Sequence, residues 1–166
     1  MQSLINGQQT EHISIRDRGI QYGDGCFETI RVLSNKLILW SAHLKRLEQA
    51  CKALHLSVNF ELLQSEISQL LQGNKTADII LKIIVTRGEG GRGYTPPDQA
   101  DCTRIIQLID YVAPDKKYGA RVVVCQHRLS SNSLLGGIKH LNRLDQVLAS
   151  AQIPADFDEG LCMDEQ

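Results

Sequence analysis

Cys26-Phe27-Glu28-Thr29-Ile30-Arg31-Val32-Leu33 is the stretch from which the fold is read. Apolar and polar positions alternate along it, the period of a strand with one face in a core. Gly23-Asp24-Gly25 leads into it, and Asn35 offers a turn into a further extended run, Leu37 to Trp40. Working back towards the start, Ser3 to Ile5 and Gln8 to Ile15 read as two strands about Asn6-Gly7. That dipeptide suits a type I′ hairpin turn, since both residues tolerate positive φ.

Downstream, Ser41 is positioned to cap a helix on which Leu44, Leu47, Cys51 and Leu54 form one apolar stripe, with Arg46 well away from it. A second helix is expected from Glu61 to Leu71, with Leu63, Ile67 and Leu70 on one face and Gly73 as its C-cap. Ile79 to Thr86 is β-branched and apolar, the pattern of a buried strand; Thr103 to Ile109 and Ala120 to Cys125 are further strands. From Gly136 the period becomes helical, with Ile138, Leu141, Leu144, Leu148 and Ala151 inward and Lys139, Asn142, Arg143 and Gln146 on the polar face. The expected class is α/β: a small α+β domain at 1–113, a polar linker at 114–118, and the first part of a larger α/β domain at 119–166.

Composition narrows the function. The 166 residues are 42% hydrophobic and 22% charged, as in a globular chain able to bury a core. Eighteen Lys and Arg against 19 Asp and Glu leave a net charge of -1, so no summed field favours nucleic acid or an anionic membrane. The five cysteines, Cys26, Cys51, Cys102, Cys125 and Cys162, are scattered and show no C-x-x-C spacing. That suits reduced thiols in a cytoplasm better than disulfides or zinc. The first nine residues lack a signal-peptide pattern, and no apolar run is long enough to span a bilayer.

Chemistry-bearing residues have plain readings as well as functional ones. Lys139 alone is a surface lysine, although the paired glycine before it lets a bulky group approach, and a lysine at a helix start is disfavoured unless an anion is near. A nucleophilic lysine must shed its proton, a shift of roughly three units from about 10.4, to which Arg143 would contribute. Arg46 alone is a solvated helix residue or a phosphate fork. Arg87-Gly-Glu-Gly-Gly-Arg-Gly-Tyr94 is a glycine-rich turn or an anion site, without the Gly-Lys-Ser/Thr of a Walker loop. Asp17 and Asp24 flank turns, and His43, His127 and His140 lack metal-ligand spacing, so no metal is expected.

Four ordered blocks carry a resemblance: Arg16-Asp-Arg-Gly-Ile-Gln-Tyr-Gly-Asp-Gly-Cys-Phe-Glu-Thr-Ile-Arg-Val32, His43-Leu-Lys-Arg-Leu47, Arg87 to Tyr94, and Gly137-Ile-Lys-His-Leu-Asn-Arg-Leu-Asp-Gln-Val147. Together they resemble the fold-type-IV pyridoxal-phosphate enzymes. That group contains branched-chain aminotransferases, D-amino-acid aminotransferases and aminodeoxychorismate lyases, and the last two blocks are most similar to the lyase branch. The resemblance implies pyridoxal 5'-phosphate as cofactor, Lys139 as its Schiff-base lysine and Arg46 as its phosphate-binding arginine. It also implies a homodimer and conversion of 4-amino-4-deoxychorismate to 4-aminobenzoate and pyruvate for folate synthesis.

Lys139 would remove the proton at the amine-bearing carbon and protonate the departing methylene. From charge, Arg92, Arg87 and the adjoining Tyr94 are expected to meet a dicarboxylate substrate. The family continues past Gln166 to a glutamate that pairs with the cofactor's ring nitrogen, so a piece of a longer enzyme is expected. Transamination of a branched-chain or D-amino acid and an inactive fragment are the alternatives.

Overall fold

The structure is a computed structural model that describes residues 2–74, 76–113 and 119–164; the expected linker at 114–118 lies outside the described residues. The chain divides into two compact units, Met1–Tyr111 with Ile138–Leu141, and Val112–Gly137 with Asn142–Gln166.

The first unit carries β1 (Gln2–Ile5), α1 (Arg18–Tyr22), β2 (Gly25–Leu33), β3 (Lys36–Leu37), α2 (Trp40–Ala53), α3 (Phe60–Gln72), β4 (Asp78–Thr86) and β5 (Thr103–Asp110). The strands form one antiparallel sheet in the order β1-β5-β4-β2-β3. The alternation that opened the sequence reading sets its register: Cys26, Glu28, Ile30 and Val32 turn to one face, which is buried, while Thr29 and Arg31 are exposed on the other. Opposite β2, Ile79, Leu81, Ile83 and Val85 of β4 join the buried face.

α2 supplies Leu47, Ala50 and Cys51 to this core, and α3 supplies Leu63, Ile67 and Leu70. Leu81 and Ile83 have no solvent exposure. Burying each such side chain contributes about 1.5–3 kcal/mol, and truncating either to alanine costs about 2–5 kcal/mol through the cavity left behind.

Asn6 and Gly7 take φ of 51° and 77°, the values of the expected I′ turn. The chain beyond it does not form the expected strand: after a single bridge between Ile5 and Gln8, residues 9–15 run irregularly, and β1 pairs with β5 instead. β5 offers four consecutive residues in register to β1, a longer ladder than the hairpin's own second arm. The run expected at Leu37 to Trp40 is likewise cut to two residues, because Leu39 enters the left-handed region at φ 54° and becomes the N-cap of α2. Ser41, expected as the cap, therefore sits inside the first turn.

The second unit holds β6 (Val122–Leu129), α4 (Leu144–Ser150) and β7 (Glu159–Asp164). Its two strands are parallel, with a register shift between Val124 and Arg128. Strand, helix and parallel strand make a crossover of the α/β kind. Leu144 and Leu148, expected inward, are 68% and 45% exposed, while Ala149 is the buried residue of α4. The expected helix from Gly136 begins only at Leu144, because residues 138–141 belong to the first unit.

All five cysteines are free thiols. Contact with Cys26 Sγ at 3.7 Å and burial push the Cys51 thiol up. Among the described residues, no helix is long and apolar enough to cross a membrane, and no cluster of His, Cys, Asp or Glu is placed to hold a metal ion.

Candidate active site

Lys139 is held by backbone pairing. The Phe27 amide donates to the Lys139 carbonyl at 2.9 Å, the Leu141 amide donates to the Gly25 carbonyl at 3.0 Å, and Cys26 bridges His140. Residues 138–141 thus extend along the start of β2, on the edge that β3 pairs only at Val32 and Leu33, as a short antiparallel strap, and Ile138 packs against the core. Lys139 lies on no helix, so the helix-dipole argument from the sequence does not apply. Its ammonium nitrogen stands 4.3 Å from the centroid of the Phe27 ring, within cation–π range. The strap needs Gly25: a Cβ there would lie 2.3 Å from the Val85 carbonyl oxygen and 2.8 Å from Leu141 Cδ1.

The next residue of β2, Glu28, points into the buried face and is 1% exposed. A lone carboxylate there would be costly. It is satisfied from α2: Arg46 donates from Nε to Oε1 at 2.5 Å and from Nη2 to Oε2 at 2.6 Å, and His43 Nδ1 lies 2.8 Å from Oε2. His43 and Arg46 are three apart and so share a helix face. Burial raises the Glu28 pKa, but the hydrogen bonds and charges of Arg46 and His43 outweigh it and hold the carboxyl below its ordinary value. Arg46 keeps 47% of its side chain exposed. Phe27 and Glu28 are consecutive on β2 and project to opposite faces of the sheet, Phe27 towards Lys139 and Glu28 towards Arg46.

The glycine-rich loop after β4 rests on a third cluster. Asp17 is fully buried and accepts from the Gly19 amide and from the hydroxyls of Thr86 and Thr103, each at 2.8 Å. Asp24 takes Arg18 Nε at 2.9 Å and Arg87 Nε at 2.7 Å. Burial again raises the Asp24 pKa, and Arg87 and then Arg18 overcome it to leave the carboxyl below the usual range. Arg87 also donates to the carbonyls of Leu54 and His55 at 2.7 and 3.0 Å. Its fork is thus committed to main chain and Asp24. Arg92 is exposed, and Tyr94 is 85% exposed with its ring edge-on to Tyr22 at 5.5 Å.

Sequence reasoning singled out Lys139, Arg46, Arg87, Arg92 and Tyr94; the structure brings them onto one unit, with Arg87 committed to Asp24 and main-chain carbonyls and with Arg92 and Tyr94 exposed. It missed Glu28, His43 and Arg18. A signal for Glu28 was present: a carboxylate at an inward position between Cys26 and Ile30 has to find a cation.

The chain is similar to known proteins in sequence and in fold. The family model for amino-transferase class IV matches residues 25–166. Aminodeoxychorismate lyase from Vibrio harveyi is 36% identical over 153 residues, which cover 90% of this chain and 56% of that protein. The crystal structure of 4-amino-4-deoxychorismate lyase from Pseudomonas aeruginosa superposes with a TM-score of 0.83 at 39% identity, covering 98% of this chain and 61% of that one. The T.th. branched-chain amino acid aminotransferase, complexed with N-(5'-phosphopyridoxyl)-L-glutamate, shares the fold with a TM-score of 0.82 at 22% identity, covering 99% of this chain and 59% of that one. The chain spans about three fifths of the length of these relatives. With 142 consecutive residues matched by its model, the chain belongs to the amino-transferase class IV family.

Proposed function

We propose that the chain carries the catalytic lysine of a pyridoxal-phosphate-dependent lyase that converts 4-amino-4-deoxychorismate to 4-aminobenzoate and pyruvate, a step of folate synthesis. The observation that carries the reading is the pairing of Lys139 to the β2 edge, its amine over Phe27, on the same unit as the Glu28-anchored fork of Arg46. A primary amine and a cationic fork are the donor types that an aldehyde and its phosphate require, so these residues fit the cofactor. When bound, the cofactor's ring supplies an electron sink for the charge left by proton removal.

Lys139 Nζ takes the proton from the amine-bearing carbon of the substrate and returns one to the departing methylene. Arg46 holds the cofactor's phosphate with the donors that Glu28 leaves outward. Arg92 and Tyr94 meet the substrate carboxylates, and Arg87 supports the base of their loop. The enzyme works as a homodimer in a reducing cytoplasm, where its thiols stay free. A product assay on the cofactor-loaded protein tests the reaction: pyruvate and 4-aminobenzoate are expected in equal amounts from aminodeoxychorismate. No pyruvate, with a 2-oxo acid formed from a branched-chain or D-amino acid, would replace the lyase reading with transamination.

A further inference from the structure

Arg18 is 3% exposed, a charge placed where it must be fully satisfied. Its Nε binds Asp24 at 2.9 Å. The rest of the fork goes to three consecutive main-chain carbonyls of the glycine-rich loop: Nη1 to Gly93 at 3.0 Å and, more weakly, to Thr95 at 3.5 Å, and Nη2 to Tyr94 at 2.8 Å. The guanidinium also lies 4.7 Å from the centroid of the Tyr22 ring, against which Tyr94 packs.

The backbone of the same segment ties the start of the loop. The Arg18 amide donates to the Gly88 carbonyl at 2.8 Å and the Gly90 amide to the Arg16 carbonyl at 3.1 Å. A Cβ on Gly90 would fall 2.6 Å from Arg18 Cδ, so the loop lies directly on the arginine stem. Turning three successive carbonyls inward onto one cation fixes the loop's backbone while Tyr94 stays 85% exposed and Arg92 exposed.

We propose that Arg18 is a positioning residue for substrate binding: from beneath the loop it holds the conformation in which Arg92 and Tyr94 meet the substrate. The inference rests on reading Arg92 and Tyr94 as the substrate anchors. An arginine is suited to the task because five donors in a rigid plane can serve a carboxylate and several carbonyls at once. Lysine keeps the charge beside Asp24 but cannot span the carbonyls.

Hydrogen exchange on the peptide spanning 88–95, read by mass spectrometry in the cofactor-loaded protein, tests the loop directly. In Arg18→Lys and in Gly90→Ala, exchange there is expected to accelerate roughly tenfold, with β2 and β4 unchanged. In the same variants KM for aminodeoxychorismate is expected to rise about tenfold with kcat within about threefold. Arg18→Lys retains the buried cation and Gly90→Ala retains Arg18 itself, so either reports if the other fails to fold. Unchanged exchange in both overturns the inference, as does faster exchange at unchanged KM when Arg92→Ala raises KM. Unchanged KM in Arg92→Ala, which leaves Arg18 and its bonds in place, overturns instead the anchor reading on which the inference rests.

Discussion

Arg46 closes a two-pronged ion pair on Glu28, Nε to Oε1 at 2.5 Å and Nη2 to Oε2 at 2.6 Å, across the interface between α2 and β2. The two partners differ sharply in exposure, 47% for Arg46 against 1% for Glu28. The pair therefore does two things: it neutralises a buried carboxylate, and it sets the direction of a half-exposed arginine side chain.

That asymmetry predicts unequal costs. Arg46→Ala leaves the buried Glu28 carboxylate with His43 alone and is expected to cost about 3–5 kcal/mol. Glu28→Gln leaves an arginine that water can reach, and is expected to cost about 1.5–3 kcal/mol. Urea denaturation of the two variants checks the order; equal losses, or a larger loss for Glu28→Gln, would contradict it.

Acid should act on the same groups. Glu28 and Asp24 are both held below the ordinary carboxylate range: burial works against this, but Arg46 and His43 outweigh it at Glu28, and Arg87 and Arg18 at Asp24. The unfolded chain then binds protons at a higher pH than the folded one. The stability these groups contribute is complete above their unfolded values near about 4 and is lost as pH falls through the lower folded values. Urea midpoints are expected to be flat from neutral pH to about 5 and to fall below about 4. Glu28→Gln and Asp24→Asn should each flatten that fall, and an acid limb as steep in the double variant as in the parent would refute the assignment.

Gly25 connects packing to the lysine. Alanine there would press a methyl on the Val85 carbonyl and on Leu141, and the strap has to give way. Displacing it moves Lys139, so capture of pyridoxal phosphate at that residue is expected to slow on the order of tenfold to a hundredfold. Gly91→Ala is the control, since its added methyl meets nothing within 4 Å. Equal capture rates for the two variants would show that the strap does not position the lysine.

Asp17 accepts three hydrogen bonds with no exposed surface. The Thr86 hydroxyl already accepts from the Gly88 amide at 3.0 Å, so its own proton is directed at Asp17. Asparagine would turn an NH2 towards one of these donors. A loss of about 1–3 kcal/mol is expected for Asp17→Asn, measurable by urea denaturation. An unperturbed midpoint would mean that the network is not rigid.

Much of the first unit was legible in sequence. Alternation over Cys26–Leu33 and the β-branched run at Ile79–Thr86 specify a pleat with one buried side, and the observed strands begin within one residue of those limits. What failed were the places where tertiary pairing overrode local pattern. The Asn6-Gly7 turn makes Gln8–Ile15 the expected second arm of a hairpin, but β1 found its ladder in β5. The period after Gly136 is helical, yet residues 138–141 gain main-chain partners on β2 and the helix starts only at Leu144.

At the candidate site, Lys139 and Arg46 are expected from the four ordered blocks rather than from spacing. Arg18 was hidden because an arginine in a polar, turn-rich stretch reads as solvated until the loop that covers it is in place.

The claim that Lys139 carries the chemistry meets its most direct test in one measurement: exposure to pyridoxal phosphate, reduction with borohydride, and mapping of the modified peptide. A single phosphopyridoxyl group on Lys139, absent in Lys139→Arg and weakened in Arg46→Ala, is the expected result. Labelling spread over other lysines, and undiminished in Lys139→Arg, would contradict it.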